Sequence, residues 1–410
     1  MLIHLFPRAH ARFLKLPLLG GFLEGLAQWL AAQGFSPSPI RRRIRKAPVL
    51  EELLSSRGIR DLGALSREQF LELAPRPARK QRDLSALVRS MTAFLAGCSL
   101  WRVVDPSPGE LLARAYLEFL RQVRGLSRGT LRQHRRTALG LLEFLGFDDR
   151  PGILGTLSAQ PVEAFVVHRA ATLGRSSLQH LVSQLRCFLR FLASRGEVAA
   201  GLDAWIDAPP VYRDEQLPRA LPWDTVQSFL AEMDRTTPLG QRDHAMCLLM
   251  ATYGLRASEV AALQLDSILW RSSQIRANRP KVRQPLVLPL TDEVGAALVD
   301  YLQHGRPRTQ HRSVFLRSRR PVAPLLASGV RAAFRRRVQR SKTGFPDTGT
   351  HCLRHSLALH LLRSDESIES IGALLGHRNL ATTGQYLRVH DDALRAVALD
   401  LPRHAAESRP

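Results

Sequence analysis

Apolar residues recur at helical spacing through the second quarter of the chain. In ELLARAYLEFLRQVRGLS, Gly125 ends a stripe that contains Leu112, Tyr116, Phe119, Leu120 and Val123. Ser127 and Thr130 stand where the next helix is capped, and its stripe runs through Leu131, Ala138, Leu141, Leu142 and Leu145. The segment SSLQHLVSQLRCFLRFLASRG repeats the pattern. Residues 107–200 are therefore predicted to form a compact domain of about four helices.

The first 103 residues also carry helical patterns, notably LEELLSSRG and SREQFLELA, and two basic stretches at 41–48 and 76–83. The opening 34 residues are apolar enough to resemble a signal peptide or a membrane span, but Arg8, Arg12, Lys15 and Glu24 interrupt them. We interpret this opening as an amphipathic helix and expect no membrane partner. Residues 1–103 are predicted to form a helical, basic N-terminal extension.

The pattern changes after residue 207. Residues 208–222 contain four prolines and mixed charge, which predicts an extended linker. Within residues 223–398, DHAMCLLMATYGLRASEVAALQL predicts two helices around a turn at Gly254, and QIRANRPKVRQPLVLPL, which Pro280 interrupts, predicts a β-hairpin. Helical patterns return from Asp292, and the polar residues 402–410 are predicted to be disordered. The predicted fold class is mainly α with a small antiparallel sheet.

Charge indicates the partner. The chain has 410 residues, 59 Lys+Arg against 36 Asp+Glu, a net charge of +23 and a pI near 11.3, which favours a polyanion. A solubilising surface or a basic tail is the alternative, but the arginines recur along the whole chain. Nucleic acid is therefore the expected partner.

Cysteine usage indicates the compartment. The four cysteines, Cys98, Cys187, Cys247 and Cys352, are widely separated and none belongs to a CxxC pair, so neither a zinc module nor a disulfide framework is indicated. A reduced cytoplasm, with association to the nucleoid, is the expected location.

Three motifs in the second half carry candidate chemistry: YGLRASEV, THCLRH and LLGHRNLATTGQYLRV. They contain Arg256, His351, Arg354, His377 and Tyr386 in that order. Arginine forks suit the charge that develops on phosphate oxygens, and a phenol is a nucleophile once a base removes its proton. A lone tyrosine is more often a core residue. The order and spacing of the set, taken together, indicate phosphodiester chemistry.

Local spacing predicts how these side chains are held. Ser258 and Glu259 are typical of a helix start, which anchors the backbone of Arg256. His351 and Arg354 lie three apart and so share one face of a helix, with a separate apolar stripe formed by Leu353, Leu357 and Leu361. The alternative that His351 and His355 bind a metal lacks the glutamate base of an HExxH motif.

With these motifs the chain resembles the tyrosine recombinases of the phage-integrase type, over residues 107 to about 395. The resemblance implies a helical, SAM-like core-binding domain and a catalytic domain that together form a C-shaped clamp on duplex DNA. It also implies cleavage through a 3′-phosphotyrosyl bond to Tyr386 and exchange of strands through a Holliday junction, without a metal or ATP cofactor. A dimer on each of two paired recombination sites, and a tetramer in the synapse, follow by the same resemblance.

The resemblance further assigns roles within the catalytic set Arg256, Lys281, His351, Arg354, His377 and Tyr386. His351 acts as the base or proton partner of Tyr386, and His377 donates a hydrogen bond to the phosphate. Thr382 and Gln385 form a T-x-x-Q capping box just before Tyr386.

The hairpin departs from the family pattern. Lys281 falls where the family's hairpin lysine gives a proton to the leaving 5′-oxygen, but Arg279, Pro280, Arg283 and Pro285 replace the usual glycine-rich turn. Arg279 and Arg283 are therefore alternatively expected to hold backbone phosphates. Further DNA contacts are expected from Ser127, Arg128, Thr130, Arg132 and Arg175.

Several alternatives stay open at this point. A type IB topoisomerase shares the catalytic set, and a DNA-binding regulator can keep the fold without the chemistry. The N-terminal extension contacts DNA or binds a partner recombinase. The amphipathic segment DDALRAVALDL, after Tyr386, docks on a neighbouring protomer or packs on its own domain. A mobile-element integrase is favoured over a chromosome-dimer resolvase because of the long extension.

Overall fold

A computed structural model describes residues 1–75, 81–102, 105–210, 220–279, 285–346, 349–376 and Thr383. The chain divides into two compact units. The first contains Met1–Leu62, Glu68–Ser99 and Gln216–Pro410, and the second contains Gly63–Arg67 and Leu100–Glu215. Among the described helices, none combines the length and the apolar content that crossing a bilayer requires.

The N-terminal part of the chain is helical, as predicted. Its helices are α1 (Leu2–Leu5), α2 (His10–Leu14), α3 (Gly20–Ala32), α4 (Pro37–Ile44), α5 (Ala47–Ser56), α6 (Arg67–Glu72) and α7 (Arg82–Gly97), with a 3-10 turn at Leu62–Ala64. The prediction of one amphipathic helix at the start was wrong, because the segment forms three. Buried Glu51 accepts from the backbone N–H groups of Leu18 and Leu19 at 2.7 and 3.0 Å, at the start of α3. That carboxylate satisfies amides which a continuous helix would have used internally.

The second unit has the four predicted helices: α8 (Pro108–Arg124), α9 (Arg128–Phe144), α10 (Ala159–Ala170) and α11 (Arg175–Ser194), with a 3-10 turn at Pro151–Thr156. Gly125 ends α8 in the left-handed conformation, and the Ser127 hydroxyl accepts from the Thr130 amide to cap α9. The predicted stripes form the core of this unit, with one exception. Val123, in the last turn of α8, is 67% exposed.

The part of the first unit that begins at residue 220 is also mostly helical. Its helices are α12 (Trp223–Ala231), α13 (Pro238–Tyr253), α14 (Ala257–Ala262), α15 (Asp292–Asp300), α16 (Ala327–Val338), α17 (His351–Arg363) and α18 (Ile368–Leu375), with 3-10 turns at Leu265–Ser267 and Trp270–Ser272 and a π-helical turn at Tyr301–Gly305. Helix α13 is buried on all sides at the centre of the core.

The predicted hairpin is present within a small sheet. Its strands are β1 (Ile268–Leu269), β2 (Gln274–Ala277) and β3 (Leu286–Pro289), antiparallel in the order β1-β2-β3. Ile275 pairs with Leu288, and both side chains are buried while Arg276 faces outward. Strand β1 was not predicted, because two residues are too few for an alternating pattern to be recognised. The sheet holds the hairpin against the helical core.

Candidate active site

The site is built around the turn that joins α13 to α14. Gly254 ends α13 with φ +62°, a conformation that side chains disfavour, and an added Cβ would lie only 2.6 Å from Leu375 Cδ2. Two residues later Arg256 is the N-cap of α14. The close approach of α18 to this turn therefore depends on glycine.

Glu259 orients Arg256 through two hydrogen bonds. Its carboxylate is 2% exposed and accepts two bonds of 2.8 Å, one from the Arg256 backbone N–H and one from Arg256 Nη1. The backbone bond is the reciprocal half of a capping box at the third helical position. The Arg256 side chain itself is 23% exposed. The carboxylate thus orients a guanidinium that solvent still reaches, as the predicted helix start required.

Arg354 approaches the same turn from α17. Its side chain is 3% exposed, and Nη1 donates to the Gly254 carbonyl at 2.7 Å while Nη2 donates to the Leu375 carbonyl. Leu353 and Leu357 of the predicted apolar stripe are buried, but burial extends around most of α17 and includes Arg354 as well. Carbonyls accept the N–H groups without neutralising the charge. Arg354 is therefore a rigid and still cationic group.

Arg279 reaches the carboxyl end of α18 from the hairpin. It lies two residues beyond β2, is 5% exposed, and donates through Nη2 to the carbonyl of Leu374. Burial lowers the pKa of its guanidinium, the carboxylate of Glu259 opposes that change, and the charge of Arg256 adds to it. Two arginines thus bind consecutive carbonyls at the carboxyl end of α18, where the helix dipole favours cations.

Two histidines lie on the first turns of α17. His351 is the first residue of the helix and is exposed, and its ring centroid lies 6.3 Å from that of His355. Burial lowers the pKa of His355 to about 4, and the charges of His351 and Arg354 contribute further. His355 is therefore neutral near pH 7, and His351 is the solvent-exposed imidazole of the pair.

Part of the predicted set lies outside the described residues. This applies to Lys281, Arg283, His377 and Tyr386, and also to the capping pair Thr382 and Gln385. The structure brings together Arg256, Arg354 and Arg279 around the Gly254 turn, with His351 on the helix that carries Arg354. The roles of all these residues stay predictions.

The predicted DNA contacts of the second unit lie at the starts of two helices. Ser127 caps α9, Arg128 and Arg175 are the first residues of α9 and α11, and all three are exposed. Thr130 is half-buried, and its amide and hydroxyl are bonded to Ser127. Arg132 lines a groove of about 710 Å³ whose other basic residues are Arg135, Arg136, Arg169 and His180. Such a groove suits a polyanionic backbone.

Sequence reasoning missed the structural partners of the arginines. The carbonyls of Gly254, Leu374 and Leu375 accept from Arg354 and Arg279, and no side-chain pattern identifies a backbone acceptor. A usable signal was present in the glycines of YGLR and LLGH, since a glycine after an apolar helical run is typical of a left-handed helix end.

Comparison with known proteins identifies the class. The pattern described as Phage integrase family matches residues 219–393, and the pattern described as Phage integrase, N-terminal SAM-like domain matches residues 113–196. The tyrosine recombinase XerD of Lacticaseibacillus casei is 27% identical over 289 residues, which cover 69% of this chain and 95% of XerD. The protein is a tyrosine recombinase.

The similarity to one relative extends over nearly the whole chain. A Sinorhizobium fredii (strain NBRC 101917 / NGR234) protein named as an integrase/recombinase, y4rA, is 35% identical over 392 residues, which cover 94% of this chain and 95% of that protein. The chain belongs to the phage integrase family, as its motifs predicted. The N-terminal helices are therefore part of the similarity to y4rA.

A solved structure confirms the fold. The Tn1549 transposon integrase (residues 82–397), in complex with circular intermediate DNA, has a TM-score of 0.54 at 17% sequence identity, over 70% of this chain and 98% of that one. At this level of identity the similarity shows the mainly helical fold.

Proposed function

We propose that this protein is a site-specific DNA recombinase that cleaves and rejoins strands through a 3′-phosphotyrosyl intermediate on Tyr386. The observation that carries the proposal is the pair of oriented guanidiniums at the Gly254 turn, Arg256 on Glu259 and Arg354 on two backbone carbonyls. Preorganised donors of this kind stabilise the charge that builds on non-bridging oxygens in the transition state. Removing one typically costs about 3 to 4 kcal/mol of barrier.

The bond changes assign the remaining roles. The phenolic oxygen of Tyr386 attacks phosphorus, the bond to the 5′-oxygen breaks, and the 3′ end stays esterified to the protein. A phenol with a pKa near about 10 is scarcely ionised at neutral pH, so a base must take its proton. His351, exposed at the start of α17, is the proposed proton partner. Lys281 is the proposed donor to the leaving 5′-oxygen, and His377 the donor to the phosphate.

Rejoining reverses these steps. The 5′-hydroxyl of a partner strand attacks the phosphotyrosyl bond, which releases Tyr386 and exchanges the strands. Because the ester bond is conserved in the protein link, neither ATP nor a metal cofactor is part of the proposal. Two such exchanges in sequence pass through a Holliday junction. By family analogy a dimer occupies each recombination site, and two dimers form the tetrameric synapse.

Double-stranded DNA is the proposed partner. The net charge of +23 supports it, as do the basic groove lined by Arg132 and the exposed arginines at the starts of α9 and α11. The Tn1549 transposon integrase and y4rA, an integrase/recombinase by name, favour integration or excision of a mobile element as the setting.

A nicked suicide substrate tests the proposal. Cleavage near the nick releases a short fragment and traps the protein on DNA, so labelled DNA should remain with the protein after denaturation, without magnesium. Tyr386→Phe should form no adduct, while Tyr212→Phe, a matched control in the predicted linker, should form it normally. Cleavage that requires magnesium and leaves no label on the protein would refute the proposal.

Two alternative functions have distinct outcomes in the same experiments. A type IB topoisomerase would relax supercoiled plasmid without producing junctions between two sites. A DNA-binding regulator would bind the substrate but form no adduct even with the wild-type chain. The matches of both family patterns, including the SAM-like domain, favour the recombinase.

A further inference from the structure

Arg279 is buried, whereas a side chain that binds DNA phosphates is expected to be exposed at the protein surface. Along β2 and just beyond it, Ile275, Ala277 and Arg279 are buried, while Arg276 and Asn278 are exposed. Because strand side chains alternate between faces, Arg279 continues the inward-facing row of β2. Its guanidinium therefore lies within the protein, whereas Arg276 is the nearby arginine that faces solvent.

The contacts of Arg279 are with the end of α18. Nη2 donates to the Leu374 carbonyl, and the backbone of Gly376 packs so closely that an added Cβ would overlap Nη1. Gly376 has φ +64° and ends α18 in the left-handed conformation. Arg279 and the Gly376 turn are thus fitted to each other, and His377 is the next residue in the chain.

Burying the Arg279 guanidinium costs free energy, so its position needs an explanation other than space filling. A guanidinium taken out of water loses its solvation, and Nε of Arg279 has no hydrogen-bond acceptor among the described residues. An aliphatic side chain would fill the same space without that cost. What the arginine adds is a directed bond between the base of the hairpin and the last turn of α18, beside the carbonyl that Arg354 uses.

We propose that Arg279 is a positioning residue for strand cleavage and not a ligand of DNA phosphates. It fastens the base of the β2–β3 hairpin to the carboxyl end of α18, so that the segments leading to Lys281 and to His377 keep a fixed spacing around Arg354. The proposal rests on the proposed phosphotyrosyl chemistry. It differs from the sequence prediction, in which Arg279 holds a backbone phosphate.

The test separates DNA binding from the rate of cleavage. Arg279→Ala, Arg279→Lys and the matched control Arg276→Ala are compared with the wild type, using the full chain and the suicide substrate. One measurement is the affinity for DNA as a function of salt, and the other is the single-turnover cleavage rate at saturating DNA. A phosphate ligand contributes about 0.9 to the slope of log affinity against log salt.

A positioning role predicts that the cleavage rate changes while the affinity for DNA does not. Arg279→Ala should keep the wild-type affinity and salt slope, but its cleavage rate at saturation should fall on the order of 100-fold, the loss typical of a misplacement of about 1 Å. Arg279→Lys should recover part of the rate, because an ammonium can still donate to the Leu374 carbonyl. Arg276→Ala should cleave at the wild-type rate once bound. A role confined to stability would lower the adduct-forming fraction without changing the rate.

Gly376→Ala provides a second route that changes no charge. It should slow cleavage because its Cβ meets Arg279 Nη1 and because alanine is strained at φ +64°. In the double variant with Arg279→Ala the first cause is absent, so the combined effect should be smaller than the sum of the two single effects. If Arg279→Ala fails to fold, the salt dependence of affinity and the cleavage rate of Arg279→Lys distinguish the positioning role from the phosphate-ligand role.

Each outcome either supports or overturns the inference. A reduced salt slope with an unchanged cleavage rate at saturation would overturn it and restore the phosphate-ligand role. A wild-type rate in Arg279→Ala would also overturn it, while leaving the proposed function intact. If the wild-type chain itself forms no adduct, the proposed function fails, and the inference that rests on it fails with it.

Discussion

Replacing Glu259 with glutamine tests whether the carboxylate beneath Arg256 orients that guanidinium. Glu259 is 2% exposed and accepts from both the backbone N–H and Nη1 of Arg256 at 2.8 Å. Glutamine keeps the shape and one acceptor oxygen, which can still serve the backbone N–H at this helical position. Its amide NH₂ then faces Nη1, so a donor meets a donor. The substitution therefore removes the bond that aims the guanidinium.

The magnitude follows from the one bond that is lost, between Nη1 of Arg256 and the carboxylate. A hydrogen bond to a charged group contributes about 1.5 to 3 kcal/mol. Because Arg256 is 23% exposed, water solvates part of its charge once the carboxylate is gone, and we expect the lower part of that range. About 2 kcal/mol corresponds to roughly a 30-fold change in an equilibrium constant. Amides of α14 should exchange with solvent faster by about that factor, measured by hydrogen exchange with mass spectrometry.

Cleavage provides the second measurement. Loss of a single oriented donor typically costs about 100- to 1,000-fold in rate, and Glu259→Gln, which disorients Arg256 without removing it, should lose less. The matched control is Asp266→Asn, since Asp266 pairs with Arg312 at an exposed site and exposed pairs contribute about 1 kcal/mol or less. Exchange and cleavage that both remain at the wild-type level in Glu259→Gln would refute the orienting role.

Three further perturbations have defined outcomes. Gly254→Ala combines left-handed backbone strain with crowding by α18 and should lower the free energy of unfolding by about 3 kcal/mol. The control Gly58→Ala, which is left-handed but uncrowded, should lower it by about 1 kcal/mol, and thermal melts of the two variants measure the difference in Tm. Half-buried His355 has a pKa of about 4, below the unfolded value of about 6.5, so the stability linked to its neutral form is complete above pH 6.5 and is lost as pH falls toward 4. The loss, up to about 3 kcal/mol, should be absent from acid melts of His355→Gln. If α4 contacts DNA, Arg41→Gln with Arg42→Gln should reduce the salt slope of binding by about 1.8; an unchanged slope favours the partner-recombinase alternative.

Periodicity predicted the helices because burial on one face is what an amphipathic helix needs. Leu112, Tyr116 and Leu120 are buried as the stripe requires, and Gly125 and Ser127 act at the helix ends as their chemistry predicts. These features depend on neighbouring residues alone. The opening segment was predicted as one helix because its breaks depend on a distant group, the Glu51 carboxylate.

The same distinction holds at the candidate site. The residue types were predictable, since Arg256 and Arg354 stand in short motifs with fixed spacing. Their environment was not, because the acceptors of Arg354 are backbone carbonyls, one of them 100 residues away along the chain. Arg279 was expected to hold a backbone phosphate, and its burial was missed for a related reason. Its burial follows from the inward register of β2 and from the close approach of Gly376, and both depend on tertiary packing.

The hydrogen-bond acceptors around the three arginines determine how much positive charge is available to an anion. One carboxylate, Glu259, accompanies Arg256, whereas the described bonds of Arg354 and Arg279 go to neutral backbone carbonyls. Carbonyl acceptors fix the direction of a guanidinium but leave its charge in place, and a helix carboxyl end adds only a partial negative charge. The guanidiniums around the turn are therefore oriented by the protein itself. In the proposed reaction, a phosphate that carries extra charge in the transition state would gain more from such oriented donors than the ground state does, and that difference would accelerate cleavage.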